Sequence, residues 1–310
     1  MVTHIIDYAR YSGCIALENE STRVVLGPHC GGRVLEYALN GENALHRDPA
    51  QDGWVYTPGI RPGPLCPTAG RCDIGPEHIV PKRPELWLGG WQGEIVNDNT
   101  ARMVSPPCDS MGTRLTREFT LAEGSSHLTY TQTQENISDH ETRWCHWSRT
   151  FGRGHGICVV PLTPKMSRFP QQYVMYGPGP VINFQPNDPH IRVRDGYLEV
   201  FDTPANPKLG LDSYAGWFGY LMPHNVLLIK GYTTYPDRVY NEMAGLTISL
   251  YYLRDVVCEL EPIGPMEVLA PGASASFTEE WWLTPCAFPE QRNAADLAAI
   301  GDVARKAMQS

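Results

Sequence analysis

The stretch CELEPIGP (258–265) continues through LAPG (269–272) to EWWL (280–283) and predicts two strands. Successive side chains of a strand point to opposite faces, so Glu259 and Glu261 are expected to share a face. The prolines and glycines after Glu261 predict a rigid corner that ends the first strand, followed by a Pro-Gly turn. Two carboxylates held together raise the pKa of one of them, which favours a general acid or base. The alternative is an exposed edge strand whose acids are solvated.

The composition is typical of many short strands joined by turns. The 310 residues include 29 glycines, 27 prolines, 15 tyrosines and 8 tryptophans, whereas long helices would need fewer turn formers. The stretch 101–135 alternates with polar faces rich in Thr, Arg and Gln, as in an antiparallel sheet with one wet face. Helical spacing of apolar residues is confined to the tail. We predict an all-β protein, a single domain over residues 1–310, with a C-terminal helix over 289–309 packed on it.

The charge balance restricts the partners. A net charge of −9 and a pI near 5.6 argue against nucleic acid and anionic membranes, which need a basic face. An acidic, tryptophan-rich chain suits a neutral or weakly charged ligand, and aromatic rings stack well on the C–H faces of sugars. We expect a monomer or homodimer.

The sequence predicts a cytoplasmic protein without a cofactor. Its first residues lack a signal-peptide pattern, no apolar run reaches membrane-spanning length, and nine scattered cysteines without a CxxC pair are typical of buried thiols in a reducing compartment. The ten histidines show no metal-ligand spacing, so no metal is predicted, although calcium bound by oxygen ligands is left open.

A proline-rich loop over 48–86 holds the first candidate binding residues. Within it, RCDIGPEH (71–78) places ionisable side chains between turn formers, and Arg71, Glu77 and His78 are candidates to line a pocket. A loop this long in a compact domain is usually functional or disordered.

Two tryptophans follow this loop. In LWLGGWQGE (86–94), Trp87 and Trp91 are candidates for a lid or platform. The alternative is that they are aromatic plugs that pin the loop to the surface.

The mid-chain strand RWCHWSRTF (143–151) supplies a candidate proton donor. His146 would share one face with Ser148 and Thr150, and Arg149 would lie on the other. Histidine titrates near neutral pH, but a lone histidine among tryptophans is more often a hydrogen-bonded core residue. Arg149 and Lys208 complete the candidate binding set.

The order of motifs resembles the galactose mutarotase-like superfamily. The resemblance rests on RVVL (23–26), GGRVLEY (31–37) and NGENAL (40–45), and on an E-x-E…L-x-P-G…E-x-W ending like that of one uncharacterised branch. It implies a large antiparallel β-sandwich that binds a mono- or oligosaccharide on its concave sheet face. Aldose 1-epimerases use a histidine as acid and a glutamate as base, which match His146 and Glu261, with Glu259 as the close alternative. Cys145 stands where the epimerases have asparagine.

Three functions are compatible with this pattern. The first is acid/base chemistry on a sugar by an epimerase, lyase or hydrolase built on this sandwich. The second is a non-catalytic carbohydrate-binding or sensing module, and the third is a scaffold whose aromatic loops contact a partner. The catalytic interpretation requires His146 and Glu261 to face one cleft.

Overall fold

The computed structural model describes residues 1–60, 68–177 and 181–309. Almost all regular structure in these ranges belongs to two antiparallel sheets that pack face to face. The prediction of an all-β sandwich with one short C-terminal helix is confirmed.

The first sheet has twelve strands within the described residues, in the spatial order β1-β2-β3-β4-β6-β11-β21-β20-β17-β13-β14, with β5 also paired to β4. Its strands are β1 Val2–Tyr8, β2 Tyr11–Glu18, β3 Thr22–Gly27, β4 Arg33–Leu39, β5 Glu42–Asn43, β6 Gly70–Gly75, β11 Thr142–Arg153, β13 Val174–Tyr176, β14 Ile182–Asn183, β17 Lys208–Leu211, β20 Ile248–Leu253 and β21 Val257–Leu269.

The second sheet has ten strands within the same ranges, in the order β15-β16-β12-β18-β19-β22-β10-β9-β8-β7. Its strands are β7 Gln92–Asn97, β8 Thr100–Val104, β9 Thr113–Leu121, β10 Leu128–Asn136, β12 Ile157–Pro161, β15 Ile191–Arg194, β16 Tyr197–Val200, β18 Trp217–Met222, β19 Val226–Tyr232 and β22 Ser274–Pro285.

Two α-helices accompany the sheets in the described residues, α1 over Pro84–Leu88 and α2 over Leu297–Ala307, with 3-10 turns at Pro49–Gln51 and Arg292–Ala294. The start predicted for the C-terminal helix, residue 289, is wrong: Asp296 caps α2, its Oδ1 accepting from the N–H of Ala299 at 3.0 Å. The buried face of α2 packs against the second sheet beside Trp282. No helix in the described part of the chain is long and apolar enough to cross a membrane.

The predicted corner after Glu261 is instead a bulge inside one long strand. β21 runs unbroken from Val257 to Leu269, and its pairing with β11 shifts register where Cys145 faces Met266 and Trp147 faces Ile263. Between those pairs two residues of β21 oppose one of β11. A bulge tolerates proline and glycine because its extra residue needs no ladder hydrogen bond.

Large side chains and a buried ion pair, Lys230 with Glu279, fill the space between the sheets. Fully buried aromatic rings from both sheets form the main core. Among them Lys230 of β19 reaches Glu279 of β22 with 2.8 Å between Nζ and Oε2. The same ammonium donates to the hydroxyls of Ser148 at 2.9 Å and Thr150 at 2.8 Å, both on β11. The core-facing side of β11 is therefore polar because it serves a buried charge.

The cysteines described by the structure are all free. Seven of these eight are buried and Cys286 is partly exposed, as predicted for scattered structural thiols. Cys66 lies outside the described residues.

Candidate functional site

A cavity of about 930 Å³ lies on the face of the first sheet that points away from the second sheet. We call residues 76–88, which include α1 and form one side of this cavity, the wall segment. The cavity is lined by Tyr56, Gly59, Ile60, Glu77, Lys82, Arg83, Pro84, Trp87, Leu88, Trp147 and Arg149. Aromatic rings and charged side chains therefore share one open space.

The floor of the cavity comes from alternate residues of β11, which also contact the two candidate glutamates. Trp147 donates through Nε1 to Oε2 of Glu261 at 3.0 Å, and Arg149 forms a hydrogen-bonded ion pair with Glu259. Both glutamates share a face, as predicted, but they are buried and do not line the cavity themselves. Burial would lower the pKa of Arg149, yet the charge of Glu259 raises it above its usual value.

Trp87 forms the aromatic part of the wall segment and is surrounded by guanidinium groups. Cζ of Arg71 lies 3.3 Å from the Trp87 ring centroid, Cζ of Arg149 lies 4.6 Å away and Cζ of Arg83 lies 5.5 Å away. Arg83 is held by Asp73, whose Oδ1 accepts from Nε at 3.0 Å. Arg71 is buried under Trp87, and burial together with the charges of Arg33 and Arg149 lowers its pKa. The ring is thus fixed by cation–π contacts before any ligand arrives.

A lysine connects Glu77, the one carboxylate among the cavity-lining residues, to the buried Glu261. Lys208 of β17 forms a hydrogen-bonded ion pair with Glu77, and its Nζ lies 3.8 Å from Oε2 of Glu261. Burial lowers the pKa of Lys208, but Glu261 and Glu77 outweigh it and raise the pKa above the ordinary value. Burial raises the pKa of Glu261 to about 7, because Lys208 offsets only part of the loss of solvation.

A second buried acid supports the wall segment from behind. Glu242, in the loop between β19 and β20, accepts the backbone N–H of Glu77 through Oε2 at 2.7 Å. Its side chain is buried, and this burial raises its pKa to about 7. Glu77 is therefore held twice, through its carboxylate by Lys208 and through its backbone by Glu242.

His146 lies between the two sheets and not at the cavity. Its side chain is fully buried, Nδ1 hydrogen-bonds Nε2 of Gln132 at 3.2 Å, and the ring stacks on Phe277 with centroids 5.7 Å apart. The prediction that His146 and Glu261 face one cleft is wrong. Neighbours along a strand point to opposite faces, and the side chain that meets Glu261 is Trp147.

The buried His146 makes stability depend on pH. Burial lowers its pKa to about 3, while the unfolded chain binds the proton at its ordinary value near 6.5. Stability is therefore lost as the pH falls below about 6.5. Compared with His146→Gln, the natural chain should lose about 2 kcal/mol more unfolding free energy between pH 7 and pH 5. Urea unfolding midpoints at the two pH values measure this, and parallel slopes for both proteins would contradict it.

Two other candidates lie away from the cavity. Trp91 is buried in the core, donates through Nε1 to the carbonyl of Leu86 at 3.1 Å and lies over Arg117. This matches the plug alternative for Trp91, whereas Trp87 does line the cavity. His78 is exposed on the wall segment and is not a lining residue.

Several site residues were missed in the sequence. Arg83 and Lys82 lie just past the RCDIGPEH motif, and Trp147 lies two residues before Arg149 on the same face of β11. Strand alternation alone could have identified Trp147. Glu242 carries no local signal, since its role arises only from the fold. Among the described residues, no group of three His, Cys, Asp or Glu side chains could hold a metal ion.

Solved structures share this architecture. A protein from Synechocystis sp. is 15% identical to the chain, with a TM-score of 0.60 over 91% of this chain and 99% of its own. A galactose mutarotase-like protein from Lactobacillus casei is 10% identical, with a TM-score of 0.59 over 88% of this chain and 100% of its own. The chain has the galactose mutarotase-like fold. A candidate aldose 1-epimerase from Escherichia coli K12 is 12% identical, with a TM-score of 0.57 over 87% and 98% of the two chains.

The similarity of this chain to the solved structures is one of fold. No protein-family model matches the sequence, and no curated protein matches it. The predicted superfamily resemblance is confirmed at the level of architecture, whereas the significance of the E-x-E…L-x-P-G…E-x-W ending stays a prediction.

Proposed function

We propose that this mutarotase-like chain binds a monosaccharide, or one end of an oligosaccharide, in the cavity on the outer face of the first sheet. The observation that carries the proposal is the convergence there of two aromatic rings, Trp87 and Trp147, with the charged groups of Glu77 and Arg149. A sugar offers C–H faces to such rings and hydroxyl groups to such charges. The volume of about 930 Å³ lies in the range of small-molecule sites.

The polar residues of the cavity suit hydroxyl recognition. Glu77 can accept hydrogen bonds from sugar hydroxyls, and Arg149 can donate them. Because Arg149 is oriented by Glu259 and Glu77 by Lys208, little side-chain freedom remains to be lost on binding. The solved relatives named for mutarotase or epimerase activity support a sugar as the ligand class.

Calorimetry with a panel of aldoses, deoxy sugars and disaccharides tests the proposal. We expect at least one sugar to bind with a Kd of about 1 mM or tighter, and Glu77→Gln to weaken that binding about tenfold, because a hydrogen bond to a charged group becomes a neutral one. Glu94→Gln, at an exposed acid on β7 that does not line the cavity, serves as the control. Absence of binding across the panel would contradict the proposal.

Acid/base chemistry on the bound sugar is the second candidate. It is favoured by the pKa of about 7 for Glu261, which is close to the optimum for proton transfer at neutral pH. It is weakened because Trp147 and Lys208 separate Glu261 from the cavity. Polarimetry of anomer interconversion decides between catalysis and binding without catalysis. Unchanged rates in Glu261→Gln would contradict the catalytic role of Glu261 and leave sugar binding as the function.

The remaining expectations stay proposals. The net charge of −9 supports a partner other than nucleic acid or an anionic membrane. A cytoplasmic location and a monomeric or homodimeric state keep the support of the sequence pattern alone.

A further inference from the structure

The wall segment is attached to the sandwich at Glu77 by two contacts that both involve buried acids. Glu242 accepts the Glu77 backbone N–H at 2.7 Å. Lys208, which pairs with the Glu77 carboxylate, also lies 3.8 Å from Glu261. Further along, the segment is attached through Arg83 to Asp73, through the Lys82 carbonyl, which accepts from Ser110, and through the buried side chains of Leu86 and Leu88. The part of the segment around Glu77 therefore depends on the charge state of the groups behind it.

We propose that the wall segment is a proton-gated cover of the cavity, closed when Glu242 and Glu261 are protonated and loosened when they ionise. The identity of the ligand rests on the proposed function, but the gating does not. It is a property of Glu77 and its supports.

The groups around Glu242 and Glu261 compensate only in part for the solvation that these two carboxyl groups lose on burial. The charged and titratable groups that act on Glu261 are Lys208, Glu259, Arg149, Tyr176, Lys230, Glu242 and Cys258. Those that act on Glu242 are Lys208, Glu77, Glu261, Tyr176 and Cys145. Lys208 is the cation shared by both acids, and it is also paired with Glu77. Oε1 of Glu261 has no hydrogen-bond partner among the described residues. Two ionised acids here would compete with Glu77 for one ammonium.

The sign of the effect follows from burial. The pKa of Glu242 is about 7 in the closed arrangement and near 4.5 when water reaches the carboxyl group. The closed state therefore binds more protons and is favoured as the pH falls through 7. The Glu77 N–H favours the ionised carboxylate and so lowers the pKa of Glu242, but burial outweighs it, and the neutral acid still accepts this N–H through an oxygen. Protonation of Glu261 acts in the same direction, because a neutral Glu261 no longer competes with Glu77 for the ion pair with Lys208.

The expected pH dependence of wall-segment closure is large enough to measure. For Glu242 alone, the equilibrium between closed and open wall segment should shift about tenfold between pH 6 and pH 8, with a further shift from Glu261. Since Trp87 and Glu77 belong to the wall segment, sugar affinity should be higher at pH 6 than at pH 8.

Hydrogen–deuterium exchange of the full chain without ligand tests the proposal. After correction for the chemical exchange rate, protection of residues 76–88 should be about tenfold higher at pH 6 than at pH 8. Protection of the β9–β10 hairpin serves as the reference and should change little. Equal protection of the wall segment at both pH values would overturn the proposal.

Variants separate the two acids and provide the control. Glu242→Gln keeps the acceptor but cannot ionise, so protection should stay at the pH 6 level at pH 8. Glu261→Gln should give a smaller change in the same direction. Glu94→Gln, an exposed acid on β7, should respond to pH like the natural chain. A full pH response in Glu242→Gln would also overturn the proposal. If the cover responds to pH and no sugar binds, the proposed function fails while the gating stands.

Discussion

Replacing Glu279 with leucine is expected to lower the free energy of unfolding by about 3–5 kcal/mol. The Lys230 ammonium is fully buried between the sheets, and Glu279 supplies its compensating charge at 2.8 Å. Burial lowers the pKa of Lys230, while Glu279 opposes this. Without the carboxylate, only neutral acceptors among the described residues, the hydroxyls of Ser148 and Thr150 and the carbonyl of Leu260, are left to solvate the buried charge.

Guanidinium unfolding of the natural chain, Glu279→Leu and the double variant Glu279→Leu/Lys230→Met measures this effect. The double variant removes both charges and should recover most of the lost stability, because a buried pair can be exchanged for apolar side chains with little net change. If Glu279→Leu were as stable as the natural chain, the buried ion pair would not contribute to the stability of the core as we expect.

Replacing Trp87 with alanine is expected to weaken sugar binding by about 2 kcal/mol or more, which is about 30-fold. The variant removes the aromatic surface of the wall segment and uncovers Arg71, whose Cζ lies 3.3 Å from the ring centroid. It also frees the guanidinium of Arg149, which is packed between Trp87 and Trp147.

Calorimetry with the best sugar of the panel provides the measurement. Trp144→Ala is the matched control, since Trp144 is half-buried on the same strand as Trp147, donates to the carbonyl of Met111 at 3.0 Å and does not line the cavity. Unchanged affinity in Trp87→Ala, with the fold intact, would contradict the proposed site.

The fold class could be predicted from the sequence because its signals are local. Alternation over 101–135 and the high content of glycine and proline report strands and turns directly. The bulge in β21 could not be predicted in the same way. Proline and glycine at 262–265 are compatible with both a corner and a bulge, and the choice depends on pairing with β11, more than one hundred residues earlier.

The site was harder to predict because both faces of β11 are buried. Alternation correctly grouped His146 with Ser148 and Thr150, and it separated them from Arg149. It could not show which group faces the core. Polar residues on a strand ordinarily indicate the face that binds a ligand, but Ser148 and Thr150 face inward and accept hydrogen bonds from Lys230. No local sequence pattern shows that Lys230 on β19 lies next to β11.

The partners of Glu77 illustrate the same limit. Of the three candidates in the RCDIGPEH motif, Glu77 lines the cavity, whereas Arg71 is buried on strand β6 and His78 does not line it. Its contacts come from Lys208 and Glu242, which are 131 and 165 positions away. Such pairings are set by sheet topology and not by spacing along the chain.

The alternation along β11 has an evolutionary consequence. Trp147 and Arg149 line the cavity, whereas His146, Ser148 and Thr150 make hydrogen bonds in the interior. Mutations at the first set can alter what the molecule recognises while the second set preserves its architecture. Descendants of one ancestral scaffold could therefore diversify in specificity by point changes at every other codon of a single segment.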